Sequence, residues 1–159
     1  TGLAFANPIN TKIISPSLSL LQERVYNDFY TDRPNEFNFD ITLESWAKQG
    51  ILLLNSALTV EENKPESHSK LWYPAMSALL HDIRKKENLI FILLGSTAAT
   101  FKNFIISKNN HIFAYKHPAY FARISHEFIC DGFIKLYDSI VNKKLLIRKI
   151  NICVRKPFK

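Results

Sequence analysis

Three short apolar runs between residues 51 and 115 constrain the fold more than any other feature. They are Ile51-Leu52-Leu53-Leu54, Leu89-Ile90-Phe91-Ile92-Leu93-Leu94 and His111-Ile112-Phe113-Ala114-Tyr115. The first two are continuous rather than alternating, the pattern of a parallel strand covered on both faces. Helical spacing fills the intervals. Leu71 to Lys85 places Trp72, Met76, Leu79, Leu80 and Ile83 on one side. Thr97 to Ile106 and Glu127 to Val141 repeat the pattern, and a further helix is expected over Leu18 to Tyr30, with a serine of Ser15-Pro16-Ser17 as its cap. Strands alternating with helices imply an α/β domain, a three-layer α/β/α arrangement around a mainly parallel sheet with right-handed crossovers. Polar stretches at 31–36, 61–69 and 107–110 are loops.

The residues that close each run are informative. The first ends at Asn55, the second at Gly95-Ser96, the third at Lys116-His117-Pro118. Open parallel sheets bind ligands outside the carboxyl ends of their strands. An amide, a Gly-Ser turn and an imidazole along one rim therefore mark a site.

Charge narrows the reading less than it first promises. The net charge is +7, but residues 143–159 hold seven basic residues and no acidic one, and the remainder carries 14 of each sign. The body is neutral, and the chain divides into a domain over 1–142 and a basic tail over 143–159. No apolar run reaches the ~18 residues of a membrane span. Two cysteines, Cys130 and Cys153, make neither a disulfide framework nor a four-thiolate metal site. The setting expected is intracellular: cytoplasmic, or nuclear in a eukaryote.

The stretch Trp46-Ala47-Lys48-Gln49-Gly50-Ile51-Leu52-Leu53-Leu54-Asn55-Ser56-Ala57-Leu58-Thr59 closely resembles the uracil-binding segment of the uracil-DNA glycosylase family. Other matches come in the family's order. Thr1-Gly2-Leu3-Ala4-Phe5 is similar to the segment of the base-stacking phenylalanine. Ser17-Leu18 comes after a proline, Ser67-His68 precedes the long helix, Gly95-Ser96 closes a strand, and His117-Pro118-Ala119 resembles the family's His-Pro-Ser. The likeness runs from Thr1 to about Val141.

The resemblance implies an enzyme that flips deoxyuridine out of DNA and hydrolyses its N-glycosidic bond, opening base-excision repair. Asn55 would read uracil, accepting from N3–H and donating to O4. Alone, such an asparagine is more often a turn cap; in this register it is a base reader. His117, as a neutral imidazole, would donate to the charge developing on O2. Phe5 would stack on the flipped base. Ser17, Gly95 and Ser96 would pinch phosphates, joined by Pro118 and Ala119, with Ser67 and His68 as backbone contacts. Phe121 falls at the family's minor-groove wedge, and Tyr120 or Arg123 would share that loop's work. The implied partner is uracil-containing DNA, single- or double-stranded, with a proteinaceous glycosylase inhibitor as a further one. No membrane, metal or cofactor is implied, and a monomer is expected.

Departures bear on activity. The family's Gly-Gln-Asp-Pro-Tyr-His motif, whose aspartate positions the hydrolytic water and whose tyrosine blocks the thymine methyl, does not occur in the 159 residues. Its segment would precede Thr1, so the domain reads as incomplete at its N-terminus, lacking a first, central strand and leaving bare sheet edges. Little or no turnover is expected of this chain alone. A catalytically inactive DNA- or uracil-binding module and a truncated gene product are the alternatives. Ala119 replaces serine. The tail reads as a basic strand or helix, or as an irrelevant extension.

Overall fold

The computed structural model describes residues 2–124 and 149–153. In chain order these form α1 (Pro16–Phe29), a short 3-10 turn (Pro34–Glu36), α2 (Glu44–Lys48), α3 (Ser69–Ile83), β1 (Ile90–Leu94), α4 (Ser96–Ala99), α5 (Lys102–Ile105), β2 (His111–Tyr115), α6 (Pro118–Ile124) and β3 (Lys149–Cys153). The sheet has the order β2-β1-β3 and both pairings are parallel. The expected helix over 127–141 lies outside the described residues.

β1 organises the molecule. All five of its residues are buried, as the continuous apolar run requires, and the pleat sends alternate side chains to opposite faces. Ile90, Ile92 and Leu94 join a core with Phe5, Leu18, Leu21, Leu43 and Leu53. Leu89, Phe91 and Leu93 join a second core with Met76, Leu80, Ala98, Phe101 and Ile105. One face is thus covered by α1 and the N-terminal segment, the other by α3, α4 and α5. This is the α/β sandwich that the alternating runs imply.

Four local expectations are corrected. Ile51–Leu54 forms no strand: it carries at most a single bridge, at Leu54. Leu53 still enters the first core and Leu54 packs against the second. Apolar burial on both faces therefore does not require a ladder, and the Leu53 carbonyl instead accepts the Ala4 N–H at 3.2 Å. The helix expected over 97–106 is broken into α4 and α5. Between them the Thr100 hydroxyl donates to the Thr97 carbonyl at 2.7 Å, the local side-chain bond that competes with a regular helix. Ser15 occupies the N-cap of α1 without a capping hydrogen bond. The start is set instead by Pro16 at the first helical position, where its fixed φ and absent N–H are harmless. Leu79, placed on the apolar side of α3 by its spacing, is 42% exposed, whereas Met76 and Leu80 are buried.

The fifth correction concerns the sheet's edge. β1 does not stand bare on the side away from β2, because Lys149–Cys153 pairs with it from Ile90↔Lys149 to Leu94↔Cys153. Part of the basic tail is therefore a strand.

The segment leading to the first apolar run is locked by one carboxylate. Asp40 accepts from the Thr42 hydroxyl at 2.5 Å, the Thr42 N–H at 2.9 Å and the Ser45 N–H at 2.8 Å. It thereby caps the first turn of α2, and it fixes the left-handed Leu43 (φ 54°) whose side chain is fully buried. The Thr42 hydroxyl, then the Ser45 amide, hold the Asp40 carboxyl well below the ordinary carboxylate range. A depressed folded-state pKa stabilises the fold fully above the unfolded value of ~4, and the effect is lost as pH falls toward the folded value. Asp40→Asn is expected to lower stability by about 1 kcal/mol at neutral pH. In urea unfolding the gap between wild type and variant should narrow at pH 3; a constant gap would show that the charge contributes nothing.

Candidate active site

The ends of β1 and β2 meet at one point. The Gly95 N–H donates to the Tyr115 carbonyl at 2.8 Å, extending the ladder one residue past β1. That rung sets Gly95 directly beside His117. A Cβ built on Gly95 would lie 3.2 Å from the His117 Cβ, and Gly95 has φ 101°. Two independent reasons thus demand glycine here: the left-hand backbone and the close approach.

His117 opens the turn into α6. Its Nδ1 accepts the Ala119 N–H at 3.0 Å, and its carbonyl accepts the Tyr120 N–H at 2.9 Å. With Nδ1 accepting, Nε2 is left as the donor nitrogen of the ring. The imidazole is thereby oriented as a donor through a buried nitrogen.

Phe5 touches this histidine. The two rings lie 5.3 Å apart at 36°. Phe5 is 2% exposed and sits at φ 66°, a sparsely populated conformation for a bulky side chain. Backbone bonds hold the turn in place: Ala4 N–H to the Leu53 carbonyl, Ala6 N–H to the Leu3 carbonyl at 3.3 Å and Asn7 N–H to the Ile41 carbonyl at 2.9 Å. The first links Phe5 to the segment carrying Asn55, two residues beyond Leu53. Asn55 Oδ1 is buried and has no hydrogen-bond partner among the described residues. An orphaned acceptor of this kind costs about 1–3 kcal/mol and marks a place where a donor is wanted.

Beside this group lies a pocket of about 260 Å³, walled by Glu66, Leu94, Gly95, Ser96, Thr97, Lys116, His117, Tyr120 and Arg123. Asn55 and Phe5 are not part of its wall. Among the described residues no cluster of three or more histidine, cysteine or acidic side chains could hold a metal ion.

The sequence pattern of the uracil DNA glycosylase superfamily matches residues 1–140. The chain belongs to that superfamily. Uracil-DNA glycosylases of Mesomycoplasma hyopneumoniae and Buchnera aphidicola are 35% and 36% identical to it, over 91% and 93% of the chain. The enzyme of Campylobacter jejuni is 39% identical over 77% of the chain. The domain spans 64% of the length of the first two relatives and 52% of the third. In three dimensions the mimivirus uracil-DNA glycosylase superposes with a TM-score of 0.64 at 23% identity, over 74% of this chain and 41% of that one. A mimivirus UNG variant in complex with UGI gives 0.63 at 24%, over 74% and 42%.

Within the domain the expected site residues fall into distinct groups. His117, Gly95 and Ser96 share the pocket wall, and Arg123 stands there too, its Nε donating to the Ala119 carbonyl at 3.0 Å. Pro118 is buried at the head of α6, and Ala119 orients His117. Ser67 and His68 order their own loop. The Ser67 hydroxyl accepts the Glu61 N–H at 2.9 Å, and His68 Nδ1 lies 2.9 Å from the Thr59 hydroxyl, which also accepts the Trp72 indole N–H at 2.7 Å. Ser17 is 1% exposed in the first turn of α1, its hydroxyl without a partner among the described residues. It lies beneath the surface, where the sequence placed a phosphate contact. Phe121 is partly buried against the first core, whereas its neighbour Tyr120 is 39% exposed and lines the pocket. The contact of α6 with α1 decides which aromatic turns inward. Glu66, Thr97 and Lys116 were missed as wall residues. Each of the three adjoins a recognised motif, which was the available signal.

Gly95 separates contact from strain in a direct test. Gly95→Ala is expected to destabilise the domain by roughly 1–3 kcal/mol and to shift the His117 imidazole resonances. Gly50→Ala, at φ 86° with nothing within 4 Å of the added Cβ, should cost stability while leaving those resonances in place. Unmoved His117 signals in Gly95→Ala would refute the contact.

Proposed function

We propose that the protein built on this domain is a monofunctional uracil-DNA glycosylase. The supporting observations are the orphaned Asn55 acceptor, the Phe5 turn bonded to the same segment through Leu53, and the His117 ring that Phe5 touches and the Ala119 N–H orients. Uracil carries an N3–H that Asn55 Oδ1 can accept, while the amide of the same side chain donates to O4. Cytosine has an acceptor at N3 and a donor at the adjacent carbon, so both Asn55 groups would meet the wrong partner. A buried mismatch of that type supports discrimination by a factor of ~10⁴ or more.

The reaction breaks the bond between C1′ of the sugar and N1 of the base. The bonding electrons leave with uracil and delocalise onto O2, where the Nε2–H of His117 donates a hydrogen bond that strengthens as charge develops. A water then bonds through its oxygen to C1′, and the proton it gives up balances the charge of the departed uracil anion. In this superfamily reading the water is positioned by an aspartate that no residue of the 159 supplies; Asn55, Phe5 and His117 bind the base and stabilise its departure. Uracil-containing DNA is the proposed substrate. A proteinaceous inhibitor is a second proposed partner, a reading supported by the mimivirus variant in complex with UGI.

The test is uracil release from single-stranded DNA by the protein that carries this domain together with the aspartate motif. Asn55→Asp and His117→Leu are each expected to lower the rate by ~10²-fold or more. Wild-type rates in both variants would overturn the assignment. The 159-residue chain alone should prefer uracil-containing to thymine-containing DNA while releasing little or no base; robust release would show that another group positions the water.

A further inference from the structure

The pocket wall holds a cation that the recognised motifs do not include. Lys116 is the residue between β2 and His117, and it is exposed. Its ammonium lies over the Tyr120 ring, 4.3 Å from the centroid. Tyr120 is one turn further on, on the same side of the pocket, and its N–H is anchored to the His117 carbonyl at 2.9 Å. A ring held this way restrains a long, flexible side chain at the pocket's mouth. Gly95 and Ser96 line the same space. The wall carries two cations, Lys116 and Arg123, against one carboxylate, Glu66, so it keeps one net positive charge.

Resting on the proposed DNA substrate, we propose that Lys116 is a phosphate contact of the pocket and that Tyr120 is its positioning residue. The anion concerned is the backbone phosphate that lies against Gly95-Ser96 when a nucleotide is delivered to His117. An ammonium fixed next to the catalytic imidazole neutralises that phosphate, and it does so without reading sequence. Tyr120, rather than the inward-facing Phe121, is then the aromatic of this turn that DNA meets.

Counter-ion release provides a readout that a merely structural role would not move. The probe is a single-stranded oligonucleotide with one central deoxyuridine, beside its thymidine counterpart, with binding to the 159-residue chain followed by fluorescence anisotropy across a range of KCl. Losing one phosphate contact flattens the plot of log K against log salt by about 0.7 for single strands. Lys116→Met is expected to show that flattening and to weaken both oligonucleotides by the same several-fold factor, and Lys116→Arg to restore the slope. Tyr120→Leu should flatten it partly and Tyr120→Phe should not. Lys116 and Tyr120 are both exposed, so these variants should fold. Lines parallel to wild type for Lys116→Met would overturn the phosphate assignment alone. Equal binding of the two oligonucleotides with a flattened slope would sustain Lys116 and defeat the base-reading role of Asn55. Failure of the chain to bind either oligonucleotide at any salt would overturn both.

Discussion

The last rung of the β1–β2 ladder is the interaction on which the site depends. Parallel strands register through evenly spaced hydrogen bonds, and here the register pairs Leu94 with Tyr115. One further step places the Gly95 N–H on the Tyr115 carbonyl. The geometry of the rim is set by that step. His117 is two residues beyond Tyr115, so its position is inherited from the sheet rather than from a loop. Sites carried on regular elements hold their geometry more closely than sites on loops. The absence of a side chain at Gly95 allows the imidazole to sit against the strand end, and the Ala119 amide then selects its tautomer. Burial of β1 on both faces makes this rung rigid, since shifting the register by one residue would exchange the two cores.

The same logic separates what could be read in the sequence from what could not. β1, β2, α1 and α3 were legible because each is specified by local pattern: a continuous apolar run for a doubly covered strand, helical spacing for a packed face. Ile51–Leu54 looked like β1 on that criterion. Its alternate side chains do enter the two cores, so the burial was correctly inferred, but hydrogen-bond pairing is a property of neighbours and leaves no mark on the run itself. The break between α4 and α5 turns on one hydroxyl, that of Thr100, which spacing does not register. For Lys149–Cys153 the sequence left strand and helix both open, because parallel pairing uses only backbone groups and leaves no mark on the side chains.

The placement of His117, Gly95 and Ser96 along one rim was legible because each lies just beyond the end of a strand. The choice between Tyr120 and Phe121 was not. The two are adjacent on a short helix, and only the packing of α6 against α1 determines which ring is turned inward. Counting from His117 selects Phe121, the ring that the core takes. Ser17 is concealed for a related reason: it sits in the first turn of α1, on the side that the core claims.

Phe5 and Asn55 are both held in states that folding alone does not favour. Phe5 occupies a positive φ, and Asn55 buries an acceptor with no partner among the described residues. Such departures are tolerated where surrounding structure over-determines them, and here the Ala4–Leu53 bond ties the two together. On the proposed reading the arrangement has a consequence for specificity. The desolvation of Asn55 Oδ1 is incurred during folding, before any base arrives. A base that offers N3–H recovers that free energy on binding, while one that presents a lone pair recovers nothing and adds repulsion. On that reading, discrimination between uracil and cytosine draws on a deficit built into the unliganded fold.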